Sequence, residues 1–92
     1  MAQVKTMGSG VICTPQLTVD TLGLMCPLPV AKTRSVLITM HKDEILEVWS
    51  DDPESLHDIP ALCNRHNAVL LSVEGEAGEF RFLIRSGGRA DG

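Results

Sequence analysis

The chain predicts a small α/β domain, a two-layer α+β arrangement whose elements run β-α-β-α-β-β. Three observations carry that reading. Its 92 residues suffice for one domain with a thin core. Apolar runs with strand character occur at Leu17–Asp20, Ile45–Ser50, Ala68–Val73 and Phe80–Arg85. Between the first three runs lie helix-start signals, each with a proline suited to the first helical position: Pro27 after Cys26, and Pro53 after Asp52.

Residues 1–15 contain Gly8, Ser9, Gly10 and Pro15, show no useful period, and read as a flexible tail. Cys13 falls in it, as an incidental exposed cysteine rather than a resolving thiol. The domain is expected to span 16–86, with a second tail at 87–92. After the first strand, Thr21 to Met25 form a loop in which Gly23 permits a turn or close backbone approach. The first helix should run from Pro27 to about Met40, with Val30, Ala31, Leu37 and Ile38 on one face. In the second strand, Leu46 and Val48 share one face, Ile45 and Trp49 the other. The second helix should start with Asp52 as cap and reach about His66, presenting Leu56, Ile59 and Cys63 together. Pro60 inside it predicts a kink or break, with Asp58 as a recapping residue. Glu74 to Gly78 read as a hairpin loop.

Composition excludes several function classes. The net charge is −4, with signs interspersed and no Lys/Arg cluster to neutralise phosphates, which argues against direct nucleic-acid binding. Trp49, Phe80 and Phe82 are the whole aromatic complement, too few for a base-stacking platform. Residues 1–15 lack the apolar run of a secretory signal, and no segment has the length to span a bilayer. Three cysteines, an odd number, suit a reducing cytoplasm better than a disulfide framework.

Chemistry concentrates at Leu24-Met25-Cys26-Pro27-Leu28-Pro29. With Pro27 at the first helical position, Cys26 becomes the expected N-cap, its sulfur at the positive end of the helix dipole. The free N–H groups near it would be chiefly those of Cys26 and Leu28. Such a site biases a thiol toward thiolate, the form that attacks and carries. Acids on the same edge and apolar neighbours oppose the helix, so the expected thiol pKa is roughly 7 to 8, against a free value of about 8.5. If the first two strands are parallel, the Cys26 loop, the Asp51-Asp52 loop and the start of the second helix share one sheet edge. Reactive groups in open α/β sheets lie at such edges.

Asp20, Gly23, Cys26, Pro27 and Pro29 form an Asp-x-x-Gly-x-x-Cys-Pro-x-Pro arrangement. Downstream stand Asp51-Asp52-Pro53, then Asp58-Ile59-Pro60 and Cys63, and near the end Phe82-Leu83-Ile84-Arg85. Together these resemble the TusA/SirA-type sulfur-carrier family over roughly Leu17 to Gly88. The tail bearing Cys13 departs from the compact members. The resemblance implies a four-stranded mixed sheet in order 1-2-4-3, with both helices on one face, as in the C-terminal domain of translation initiation factor three. It implies that Cys26 takes sulfane sulfur as a persulfide from a cysteine desulfurase and relays it to an acceptor protein. The pathway it suggests is 2-thiolation of the tRNA wobble uridine. Sulfur delivery to molybdenum-cofactor synthesis or sulfur oxidation is the alternative. Such a carrier has no independent turnover and needs no cofactor.

Each further candidate has a plainer reading beside the functional one. Asp52 is explained by helix capping; Asp51 is a partner-docking candidate. Asp20 serves equally as an organiser of the Cys26 loop and as a site residue. Lys32 and Arg34 could steer an acidic partner, although a solvated helix face explains both. Cys63 and His66 have a Cys-x-x-His spacing that zinc sites use, but no second ligand pair stands beside them, and Cys63 reads as core. No metal is expected. A regulatory or nucleic-acid-binding role is suggested by fold analogy alone, which does not fix function.

Overall fold

The computed structural model describes residues 15–88. Cys13, the tail to residue 14 and residues 89–92 lie outside them. Within the described residues, β1 (Leu17–Asp20) leads to α1 (Leu28–Leu37), β2 (Ile45–Ser50), α2 (Ser55–Arg65), β3 (Val69–Glu76) and β4 (Glu79–Arg85). The sheet order is β1-β2-β4-β3. β1 and β2 are parallel, with Leu17 opposite Leu46 and Asp20 opposite Trp49. β4 runs antiparallel to both β2 and β3. This is the α+β architecture expected from the sequence, with a mixed four-stranded sheet.

Alternation along the strands sets one face against the helices. Leu46 and Val48 of β2 and Phe82 and Ile84 of β4 are 0% exposed, and they meet Leu37, Met40, Ile59, Leu62 and Cys63 in one core. Each such side chain contributes about 1.5–3 kcal/mol relative to exposure. On the other face a polar ladder crosses all four strands. Thr18 Oγ1 donates to Glu47 at 3.0 Å, Arg81 donates to Glu47, and Arg81 Nη1 donates to Glu74 at 3.3 Å. The Arg81 hydrogen bond holds the Glu47 carboxyl below its ordinary range.

The helices differ from expectation in detail. α1 is shorter than predicted and buries Pro29, Thr33 and Leu37 at i, i+4 and i+8, while Ala31 and Ile38 are exposed. Thr33 is admitted to the core because its hydroxyl donates to the Pro29 carbonyl at 2.7 Å, leaving no unpaired polar group. α2 is continuous through Pro60; it neither breaks nor recaps at Asp58. Its buried face is Ser55, Ile59, Leu62 and Cys63, with Leu56 left 40% exposed. After the cap residue His66, Asn67 takes a left-handed backbone (φ 58°) that lets the Ala68 N–H reach the Cys63 carbonyl at 2.8 Å.

The last hairpin is tighter than expected. β3 runs through Glu76, so only Ala77 and Gly78 form the turn, with φ of 56° and 82°. Positive φ at both positions is the type I′ geometry that matches strand twist. Beyond β4, the Ser86 N–H donates to the Glu44 carbonyl and Gly87 lies against Asn67. A Cβ on Gly87 would sit 2.0 Å from the Asn67 carbonyl oxygen, so glycine is required there. Gly87 and Gly88 are half-buried, and packing continues past the expected domain end.

Candidate functional site around Cys26

Two loops leave the same edge of the sheet, residues 21–27 after β1 and 51–54 after β2. They are stitched together by backbone donors. The Thr21 N–H and hydroxyl both donate to the Trp49 carbonyl, at 2.8 and 2.5 Å. Asp20 Oδ1 accepts the Leu22 N–H at 2.9 Å, which orders the loop start. Gly23, at φ +85°, turns its N–H toward both carboxylate oxygens of Asp51, at 3.1 and 3.0 Å. Asp52 Oδ2 accepts the Cys26 N–H at 2.6 Å, and its Oδ1 accepts the Glu54 N–H at 3.0 Å. Asp52 is only 3% exposed. A buried pair of hydroxyls, Ser50 and Ser55 at 2.6 Å, lies beneath it, and Ser50 Oγ accepts the Asp52 N–H.

Cys26 therefore stands where the sequence places it, at the start of α1, but in a different electrostatic setting. The helix begins at Leu28, so Pro27 occupies the cap position and Cys26 lies one residue further out. Both expected donors are engaged: the Cys26 N–H by Asp52, and the Leu28 N–H by the Met25 carbonyl at 2.9 Å. The Cys26 thiol donates to Asp58 Oδ2 at 3.7 Å. Desolvation by its neighbours comes first, then the charge and hydrogen bond of Asp58, then the charges of Asp52 and Glu54. Together they push the thiol above its ordinary value. The expected depressed thiol is thus reversed. Desolvation and the fixed carboxylates win over the helix, and Asp52 also takes the backbone donor that would have favoured the thiolate.

The sulfur is accessible. Cys26 is exposed, with Met25 (65% exposed) before it and Leu28 (47%) two residues after it, and Leu22 of the same loop and Leu56 near the start of α2 are also exposed. Cys63 is buried at 3% exposure, as expected, and burial pushes its thiol up to about 11. His66 follows it at the end of α2, and among the described residues no three His, Cys, Asp or Glu side chains cluster as metal ligands. Lys32 and Arg34 are exposed on α1; Lys32 lines a groove with Thr18, Asp20 and Ser35, and Cys26 is not among its lining residues. Among the described residues no helix is long and apolar enough to cross a membrane.

Sequence reasoning missed two roles. Asp52 reads as a simple helix cap, yet its carboxylate also holds the Cys26 backbone. Asp58 reads as a recapping residue for a broken helix, yet it faces the sulfur. The available signal was its place in the Asp58-Ile59-Pro60 portion of the motif, which carries no geometry by itself.

This site, an exposed cysteine on two clasped loops above a two-layer sheet, defines a class of small thiol-bearing α+β proteins. The model of the sulfurtransferase TusA family matches residues 17–86, and the chain belongs to that family. A general role in sulfur relay between proteins comes with that membership. The fold is similar to the crystal structure of a SirA-like protein from Desulfitobacterium hafniense. That match has a TM-score of 0.69 at 22% identity, covering 77% of this chain and 97% of the other.

Proposed function

We propose that the protein is a persulfide carrier whose acceptor atom is the Cys26 sulfur. The observation that supports this best is an exposed thiol anchored through its own backbone N–H to a buried carboxylate, at the junction of two tied loops. Such an arrangement presents one sulfur to a partner and needs no pocket for a small substrate. A cysteine desulfurase is the donor. Cys26 gives up its proton to solvent, and its sulfur bonds the outer sulfur of the donor's persulfide. The donor's S–S bond breaks, and the donor cysteine leaves as a thiolate and takes up a proton. An acceptor thiolate repeats the exchange on the Cys26 persulfide, with no net oxidation. The exposed Met25, Leu28 and Leu56 supply apolar contact for the protein partners, with Asp51 at the rim.

Incubation with a desulfurase, its pyridoxal cofactor and cysteine is expected to add one sulfur, seen by intact mass and removed by reductant. Cys26→Ser abolishes the adduct and Cys63→Ala keeps it. Equal labelling of Cys26→Ser would sink the reading. For the pathway we propose tRNA wobble-uridine 2-thiolation, on the motif's likeness to members that serve it. A strain lacking the gene then loses 2-thiouridine from bulk tRNA, and wild type but not Cys26→Ser restores it.

A further inference from the structure

We infer that Asp58 restrains Cys26 in the free protein, keeping the sulfur as a hydrogen-bonded thiol until a partner brings a lysine or arginine to that carboxylate. The inference rests on the carrier reading above and adds how the exposed sulfur is kept quiet between partners.

Its basis is geometric. Asp58 lies on α2, half-buried, with Oδ2 3.7 Å from Cys26 Sγ. That contact is favourable only while the sulfur carries its proton; an ionised sulfur would face a carboxylate across the same gap. A carboxylate is a far weaker base than a thiolate, so Asp58 holds the proton in place rather than removing it. The other charged groups acting on the sulfur come from the loop before α2, Asp52 and Glu54, and both are acids. The β1–α1 loop, residues 21–27, carries no Lys, Arg or His, and the α1 cations Lys32 and Arg34 are exposed on their helix. The N–H groups that could have stabilised the thiolate are bonded to Asp52 and to Met25. Desolvation by the neighbours raises the thiol most and does not change with charge, but Asp58 is the first of the charged groups, so neutralising it is the shortest electrostatic route to an active sulfur. Its exposed surroundings, apolar Met25, Leu28 and Leu56 with acidic Glu54, suit a partner surface whose apolar centre has a basic rim.

The test separates the restraint from the carrier reading. In a Cys13→Ser background, alkylation of Cys26 by iodoacetamide is followed against pH. Asp58→Asn is expected to move the profile to lower pH. Each unit of movement raises the thiolate fraction about tenfold at neutral pH and lowers its nucleophilicity about threefold. The alkylation rate therefore rises about threefold per unit. Asp58→Glu, which keeps the carboxylate, stays near the wild-type profile. An unchanged or slowed Asp58→Asn profile overturns the restraint. In single-turnover sulfur transfer from a persulfidated desulfurase, Asp58→Asn is expected to be no faster than wild type, because docking has already freed the sulfur. A gain there equal to the alkylation gain overturns the partner clause. Failure of wild-type Cys26 to take sulfur at all would overturn the carrier reading and that clause together, while the alkylation result would still decide the restraint.

Discussion

Asp52 serves two backbone donors from a position that is only 3% exposed, and so joins the Cys26 loop to the start of α2. Asp52→Asn keeps the shape but turns an amide N–H toward one of those donors. Both hydrogen bonds are part-buried, so the lost pairing falls at the low end of the about 1–3 kcal/mol for a fully buried donor, and the variant is expected to lose about 1 kcal/mol in urea unfolding. A loss below a few tenths would mean that water replaces the carboxylate. Cys63 gives a pH prediction. Its thiol is raised from 9.0 to about 11 in the folded protein. Between those values the unfolded chain releases the proton while the folded chain keeps it, so stability falls as pH rises, by about 3 kcal/mol across the window. The measurement is the alkaline stability slope of wild type minus that of Cys63→Ala; identical slopes would contradict the burial. At this scale the sequence showed which cysteine is core and which is presented. It did not show the thiol's charge environment, because Asp52 and Asp58 stand 26 and 32 residues from Cys26 and meet it only in the fold.

The strands were legible because their alternation is local. β1 and β2 begin and end where their apolar runs do. The helices were less so. Apolar spacing favoured Ala31 and Ile38, whereas the buried face of α1 runs through Pro29 and Thr33, a choice made possible by the Thr33 hydroxyl bonding its own helix. The hairpin differs for a related reason: Glu74, Gly75 and Glu76 look like loop residues, yet pairing with Arg81, Phe80 and Glu79 carries them into β3. The turn that remains places Ala77 at φ 56°. A left-handed alanine costs about 1–2 kcal/mol, and Asn-Gly is the preferred pair for this turn. Ala77→Asn is therefore expected to stabilise the protein by about 0.5–1 kcal/mol, raising Tm by several degrees in calorimetry. An unchanged or lower Tm would argue against the type I′ geometry.

Across the whole molecule, both helices pack on one side of the sheet, and the open side carries the Thr18–Glu47–Arg81–Glu74 ladder. The sheet edge bearing Cys26 is rimmed by Asp20, Asp51, Glu54 and Asp58, and the chain's net charge is −4. RNA is expected to bind weakly, in filter binding at physiological salt; tight binding with a steep salt slope would contradict the charge distribution. The sequence by itself determined the order of elements, the presented cysteine and the family likeness, because strand alternation, proline helix starts and a short motif are all written in neighbouring residues. Only the tertiary structure decided the surroundings of the exposed Cys26 sulfur. Parallel pairing of β1 with β2 brings the second loop's carboxylates onto the first loop's backbone, and α2 carries Asp58 up to the thiol. The balance between helix and acids depends on distances of a few ångströms, which no local pattern encodes.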